Sequence, residues 1–286
     1  MAALIQGRRG APLSAIALIA PALIIIAGLF LLPVLRILWI SFTEPVAGLG
    51  NYRLLLTNGT VHRVAETTLW ICSLASVITV IVGYVIAYAM VHATSREARG
   101  MLFCILLTFW LSILVRTFAW VLLLRSEGLV NGFLLWSGLI SQPLTLVRNT
   151  FGVIVGMVHV MAPLAILPLY ASLSGIDRRL ISAARGLGCG PVRSFLYVFL
   201  PLSKPGIVAA STLVFIFSLG FFITPAILGG GKVMMIAEYI RLQFETTLNW
   251  GYAGMLATSL LVTVLLLLAI GSPFLARQRV FGGGGA

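Results

Sequence analysis

Few side chains within the apolar runs of this chain can carry charge or do acid–base chemistry. Arg36, Arg116 and His159 are the ionisable ones, and no carboxylate lies in any of these runs. A carrier driven by protons or sodium lacks the membrane acid that it would need. The 3 histidines and 3 cysteines are scattered, without the spacing of a zinc site or a disulfide framework. The sequence therefore predicts no catalytic residue and no metal site.

The known nucleotide-binding motifs are also missing. The pattern G-x-x-x-x-G-K-[ST] is not met, because Gly231-Lys232 is followed by Val233. The glycines at 186, 188 and 190 follow a predicted helix instead of a strand and miss the dinucleotide fingerprint. We therefore expect no cofactor to be bound by this chain. A membrane-embedded enzyme, which needs convergent acids, histidines or a nucleophile, is disfavoured.

The elements that must position the ionisable side chains are long apolar helices. The chain has 286 residues, of which 60% are hydrophobic and 9% charged, and its mean hydropathy is +1.10. A soluble domain carries about 25% charge and cannot bury so much apolar surface. Six stretches have the roughly 20 mainly apolar residues that a bilayer-crossing helix needs. They are residues 15–40, 69–91, 101–124, 151–173, 207–228 and 255–275.

We therefore predict an all-α, polytopic membrane protein whose six transmembrane helices form one domain over residues 1–286. A seventh apolar run, 129–140, is too short to span and predicts a short interfacial helix, with a re-entrant segment as the alternative. The first run follows Arg8 and Arg9, so a cleaved signal peptide is its alternative. Its apolar stretch exceeds the about 7–15 residues of a signal peptide, which favours an uncleaved helix.

The net charge of +12 is distributed in a way that predicts orientation. With a cytoplasmic N-terminus, 11 Lys and Arg fall in cytoplasmic segments and 6 in external ones, whereas 5 of the 7 acids are external. Cytoplasmic segments of membrane proteins carry such an excess of basic residues, so we expect both termini in the cytoplasm. A nucleic-acid partner, which this charge would suggest for a soluble protein, is not expected.

Five side chains are candidates for lining a pathway through these spans: Trp110, Arg116, Trp120, His159 and Tyr170. A charge within a span costs a few kcal/mol on insertion scales, so Arg116 is expected to face protein or water. It either lines a pathway or pairs with a carbonyl or carboxylate. His159 either lines the pathway or forms a hydrogen bond between helices. Arg36 lies near the end of a span and can reach the interface.

The segment between the fourth and fifth runs, residues 174–204, carries the clearest local signals. Asp177 is a good N-cap for a helix over 178–187. Gly188 suits the left-handed conformation that ends a helix, and Pro191 is well placed to begin a second one.

This second helix has an apolar stripe from Val192 to Leu200, and Pro201 with Pro205 is expected to bend the chain into the fifth span. On spacing alone, two roles remain open for the segment. It is either a connector whose second helix lies flat on the membrane, or a short rigid helix that docks a cytoplasmic partner.

Seven residues of this segment carry a family resemblance: Ser182, Ala183, Ala184, Gly188, Val198, Leu200 and Pro201. They resemble the "EAA" motif of permease subunits of bacterial ABC importers, which has E-A-A, a glycine four residues after the second alanine, and later I-x-L-P. Val198 stands for the isoleucine, and Ser182 replaces the glutamate. The resemblance implies that the helix around Ser182 couples the permease to an ATPase.

The resemblance extends over most of the chain and narrows to permeases of the spermidine/putrescine type. The stretches that carry it are Gly50-Asn-Tyr52, Phe109-Trp110, Leu114-Val-Arg116, Leu167-Pro-Leu-Tyr170, Thr224-Pro225-Ala226, Leu228-Gly-Gly and Asn249-Trp250-Gly251. Such an importer sits in the bacterial inner membrane and contains two permeases, here expected to be a heterodimer. Two ATPase subunits bind ATP and Mg²⁺, and an extracytoplasmic protein delivers the substrate.

The resemblance thus implies a permease subunit that forms half of the translocation pathway for a polyamine or a similar small organic compound. The external segment 229–250 would face the binding protein or form an outer gate, and its acids either receive a cationic substrate or keep the segment soluble. A stand-alone secondary transporter or channel is the alternative.

Overall fold

Residues 11–281 are described by a computed structural model, with side chains from 19 to 271, and they form helices joined by short connections. In chain order these are α1 (Ala11–Ile26), α2 (Leu32–Thr43), α3 (Gly50–Thr57), α4 (Gly59–His92), α5 (Ser95–Trp110), α6 (Ile113–Leu124), α7 (Leu129–Trp136), α8 (Thr150–Ser174), α9 (Arg178–Gly186), α10 (Pro191–Ser194), α11 (Leu200–Leu219), α12 (Ile223–Gly229), α13 (Ile236–Glu245) and α14 (Trp250–Phe281). Two π-helical turns, Ala27–Leu31 and Phe195–Phe199, join α1 to α2 and α10 to α11. The described residues contain no strand, so the all-α prediction is confirmed. Arg8 and Arg9 lie outside the described residues.

The predicted spans correspond to helices of the fold. Within residues 11–281, 5 helical stretches are long and apolar enough to cross a membrane, and α5 with its bent continuation gives up to 6. The five are Ile19–Thr43, Gly59–His92, Thr150–Ser174, Pro191–Leu219 and Trp250–Gly271. α4 begins at Gly59, well before the predicted residue 69, because the Asn58 side chain accepts a hydrogen bond from the Thr60 N–H at 2.9 Å and caps it.

The centre of the fold is a close packing of α4, α8 and α11, which small residues permit. A Cβ added at Gly83 of α4 would lie 2.9 Å from the Cβ of Ala165 on α8. One added at Gly206 of α11 would lie 2.5 Å from the Cβ of Ser172 on the same helix α8. Buried apolar side chains, Met157 among them, fill the space between the three helices. α8 is therefore the central helix of the described fold.

The prediction of one continuous third span over 101–124 is wrong. α5 ends at Trp110, and Leu111 and Ser112 have extended backbones with ψ of 139° and 136°. The axes of Ser95–Trp110 and Ile113–Trp136 differ by 97°. Hydropathy counts apolar residues along the chain and does not record direction, so an apolar run with a two-residue corner still scores as a span. The predicted short helix in 129–140 is confirmed as α7.

The prediction of a continuous fifth span over 207–228 is also wrong. α11 ends at Leu219, Gly220 follows with φ −88° and ψ 3°, and α12 begins at Ile223. Glycine has the largest backbone freedom and weakens a helix at this point. The segment 229–250, for which no helix was predicted, contains the helix α13.

The first and last spans meet at a junction built from two of the stretches that carry the family resemblance. The Asn51 side-chain amide donates hydrogen bonds to the carbonyls of Ser41, at 3.2 Å, and Glu44, at 2.7 Å. The hydroxyl groups of Tyr52 and Ser41 lie 2.9 Å apart. Gly251 at the start of α14 presses on the Glu44 carbonyl, which only a residue without a side chain allows. Gly50-Asn-Tyr52 and Asn249-Trp250-Gly251 therefore have a structural explanation.

Candidate functional site

The segment 174–204 has the local structure that its sequence predicts. The Asp177 carboxylate accepts a hydrogen bond from the Arg179 N–H at 2.9 Å and begins α9. Gly188 has φ +86°, in the left-handed region that favours glycine, and ends the helix. Pro191 occupies the first turn of α10. These three predictions are confirmed.

The second helix of the segment does not lie flat as a separate element, as one interpretation expected. α10, the π turn and α11 form one continuous helix over Pro191–Leu219 that contains Pro201 and Pro205, so any bend at these prolines does not interrupt the helix. A proline ring clashes with the carbonyl four residues before it, and for Pro201 that residue, Tyr197, belongs to the wider π turn. The π turn thus accommodates the proline and keeps the helix continuous.

One face of α9 is exposed and carries its small side chains, whereas the other face contacts the helix bundle. Ser182 and Ala183 are exposed, Ala184 is half-buried, and the Leu187 side chain is 90% exposed. Of the remaining motif residues, Pro201 is exposed and Leu200 is half-buried. The motif therefore lies on an accessible surface at the end of the helix bundle.

Two kinds of contact fix α9 to the bundle. The Arg178 guanidinium donates a hydrogen bond to the Val91 carbonyl at the end of α4. The π turn against which α9 packs is held by aromatic rings, because Tyr88 lies edge-on to Phe195 and Phe199 at centroid distances of 5.5 and 5.2 Å. α9 therefore contacts α4 through Arg178 and also contacts the π turn that continues into α11.

A second candidate site lies beyond the corner in the third span. Arg116 of α6 is only 6% exposed, and its Nε and Nη1 atoms have no hydrogen-bond partner among the described residues. It lies near His159 of α8, whose Nδ1 also has no partner among the described residues. The Trp120 ring stands edge-on to the His159 ring at 5.7 Å. The corner thus brings Arg116, Trp120 and His159 together.

The other two pathway candidates are elsewhere. Trp110 ends α5 on the other side of the corner, with 85% of its side chain exposed. Tyr170 lies three turns further along α8 and packs against the cluster of Met90, Ile105 and Ile166. The sequence placed all five in the spans, but their grouping depends on the corner, which hydropathy does not reveal. A pathway role for each of them stays a prediction.

The end of the bundle opposite α9 is built by α12 and α13, which the sequence did not predict as separate helices. The Ile236 N–H donates to the Thr68 hydroxyl at 2.8 Å and ties α13 to α4. The Thr117 and Thr224 hydroxyl groups lie 3.2 Å apart and tie α6 to α12. Glu238 in the first turn of α13 is 7% exposed, and its Oε2 has no partner among the described residues. This end therefore carries a buried carboxyl group.

Comparison with known proteins identifies the family. The family described as "Binding-protein-dependent transport system inner membrane component" matches residues 80–281. The chain is 30% identical over 226 residues to the spermidine/putrescine transport system permease protein PotB of Escherichia coli, covering 79% of this chain and 81% of that protein. It is 33% identical over 215 residues to PotB of Haemophilus influenzae, covering 75% and 74%.

A solved structure has the same fold. It is the crystal structure of a bacterial alginate ABC transporter in complex with an alginate pentasaccharide-bound periplasmic protein. One of its chains superposes with a TM-score of 0.73 at 18% identity, covering 96% of both chains. At this identity the likeness concerns the fold alone. The resemblance drawn from the motif residues is confirmed.

Proposed function

Because this chain belongs to the family of binding-protein-dependent transport system inner membrane components, it is a multi-pass permease subunit of an inner membrane ABC importer, and we propose that it carries a polyamine or a similar small organic compound. The family consists of permeases and not of enzymes. The polyamine proposal draws on the names of the PotB relatives. One structural observation supports coupling to a separate motor: the exposed helix α9, held rigidly to α4 and α11.

The partners follow from this assignment. We propose a second, different permease as the other half of the pathway, two ATPase subunits that bind ATP and Mg²⁺, and an extracytoplasmic binding protein. The alginate transporter of the same fold was solved with a periplasmic protein, which supports the last of these. Ser182, Ala183, Ala184 and Gly188 would contact the ATPase, and we propose that the 174–204 loop and both termini are cytoplasmic.

The proposed mechanism uses only rigid motions of this chain. Movement of the ATPase displaces α9, and the Arg178 contact and the aromatic rings of the π turn carry the displacement to α4 and α11. Alternating access in transporters generally results from such rigid-body motion around a central site. The stand-alone channel remains the second candidate only if the chain transports solute without its partners.

Reconstitution tests the assignment directly. The chain, its partner permease and the ATPase are expected to hydrolyse ATP several-fold faster in proteoliposomes when the binding protein is loaded with solute. ATP hydrolysis and uptake are both measured, with the chain alone in matched vesicles as the control. Uptake by the chain alone, without ATP, would instead support the secondary transporter or channel.

Replacing Arg116 with methionine is expected to lower uptake at least tenfold while leaving the amount of folded protein unchanged. Two guanidinium nitrogens, Nε and Nη1, are buried without a partner among the described residues, so an apolar side chain of similar length removes their desolvation cost and does not destabilise the fold. A loss of uptake by this variant would therefore indicate that Arg116 acts in the translocation pathway. Uptake is measured in the reconstituted importer, and folded protein by thermal shift in detergent.

The matched control is Arg36→Met, since Arg36 is an exposed arginine of the first span. We expect this variant to transport normally. Normal uptake by Arg116→Met would assign Arg116 a purely structural role.

A further inference from the structure

The break in the fifth span exposes an aromatic ring that already holds a cation. Phe222 lies between α11 and α12, with 38% of its side chain exposed. The Arg241 guanidinium of α13 sits over this ring, with its Cζ 6.0 Å from the ring centroid. Cations at this distance are attracted by the electron-rich face of the ring. The face of Phe222 is therefore chemically suited to a positive charge.

The same guanidinium is paired with a carboxylate. Arg241 donates a hydrogen bond to Glu245, one turn further along α13, with Nη1 and Oε2 2.6 Å apart. Within the described residues this is the one ion pair between side chains. Ring and carboxylate together form the kind of site that binds an ammonium group, with an electrostatic contact on one side and a hydrogen-bond acceptor on the other.

The bound guanidinium is easily displaced. The Arg241 and Glu245 side chains are 43% and 60% exposed, and an exposed ion pair contributes little because water screens it. The 6.0 Å distance to the ring is at the outer limit of a cation–π contact. Glu238, three residues before Arg241 on α13, has a carboxyl oxygen without a partner. Carboxyl groups therefore flank Arg241 on both sides along its helix.

The position of this site suits the entry of solute. α12 and α13 follow the end of α11 that lies opposite α9, at the side where α13 is tied to the first half of α4. If α9 faces the ATPase, as proposed above, Phe222 and Arg241 lie at the outer end of the bundle. A solute released by an extracytoplasmic protein reaches this end first.

We propose that the face of Phe222 and the carboxylate of Glu245 form an entry subsite for an ammonium group of the substrate, and that the Arg241 guanidinium occupies this subsite in the absence of substrate. The subsite rests on the proposed transport of a cationic solute. Arg241 acts as an internal competitor: a substrate ammonium takes its place on the ring, and the guanidinium moves into solvent.

Equilibrium binding of radiolabelled putrescine tests the proposal, with the complete importer in lipid nanodiscs and the binding protein omitted. Replacing Phe222 with leucine keeps an apolar side chain but removes the ring, and is expected to raise the Kd about fivefold. Arg241→Gln removes the competitor and is expected to lower the Kd about twofold. The Kd of butane-1,4-diol, an uncharged analogue of the same length, is expected not to change in either variant.

Phe217→Leu is the matched control, because Phe217 is an exposed phenylalanine of α11 that has no cation over its ring among the described residues. The proposal is wrong if Phe217→Leu and Phe222→Leu weaken binding equally, if Arg241→Gln weakens it, or if no variant binds putrescine. ATP hydrolysis stimulated by the loaded binding protein is measured on the same preparations. An importer that passes this second test but accepts only uncharged solutes retains its assignment and loses the ammonium subsite.

Discussion

Replacing Gly188 with valine is expected to reduce uptake and stimulated ATP hydrolysis by about a hundredfold, with normal insertion into the membrane. Gly188 has φ +86°, a conformation that a β-branched residue adopts only with strain. A Cβ at this position meets nothing within 4 Å, so the effect comes from the backbone and not from a clash. Relief of the strain, of about 1–3 kcal/mol, requires the end of α9 to rearrange. The helix would then present Ser182 and Ala183 in a different direction.

Two variants separate this conformational effect from a loss of space. Gly186 also has open space at its Cβ but does not have positive φ, so Gly186→Val is expected to retain most of the uptake. Gly188→Asn is expected to retain a large part, because asparagine tolerates the left-handed region. Uptake and ATP hydrolysis are measured in proteoliposomes, and insertion by membrane fractionation. Full activity of a well-folded Gly188→Val would disprove the coupling role of this turn.

Replacing Gly251 with alanine is expected to remove nearly all folded protein from detergent extracts. The added Cβ would lie 2.0 Å from the Glu44 carbonyl oxygen and 2.6 Å from its carbon. Both are backbone atoms, and the same oxygen accepts the hydrogen bond from Asn51, so the junction cannot yield without losing that bond. Overpacking of this kind typically costs about 1–3 kcal/mol and more where backbone must move.

Size-exclusion chromatography and thermal shift measure the loss. Gly100→Ala is the control, since Gly100 lies within helix α5 and a Cβ there meets nothing within 4 Å. That variant is expected to be as stable as the native chain or slightly more stable, because alanine favours a helix. A normal thermal shift for Gly251→Ala would mean that α14 and the Glu44 carbonyl are not in contact in the folded protein.

The parts of the fold that could be predicted depend on signals local in sequence. Span positions follow from runs of apolar residues, and the ends of α9 follow from Asp177 and Gly188, whose preferences act within one helical turn. The corner at Leu111 and Ser112 has no comparable signal. It is stabilised by the tertiary contacts of α6 with α8 and α12, among them the contact between Thr117 and Thr224.

The candidate sites also differ in whether local sequence signals are enough to predict them. The coupling residues are contiguous, so the sequence motif alone groups them on one short helix. Arg116, Trp120 and His159 come together only because the chain turns between α5 and α6, whereas Trp110, six residues before Arg116, is separated from them. The acids of segment 229–250 were predicted as one possible receiver of a cationic substrate, but the placement of Arg241 over Phe222 could not be predicted, because it needs both the break after α11 and the helix α13.

The continuity of the helix over Pro191–Leu219 fixes an angular relation between the two ends of the protein. Helical residues rise about 1.5 Å each, so the helix is about 43 Å long. α9 packs against one end of it, and Phe222 lies just beyond the other end. No loop interrupts the helix between the π turn and Leu219, so a rotation at the π turn is carried along the helix. A rotation of this helix at the α9 end therefore turns its other end at Leu219, directly before the break that separates it from Phe222.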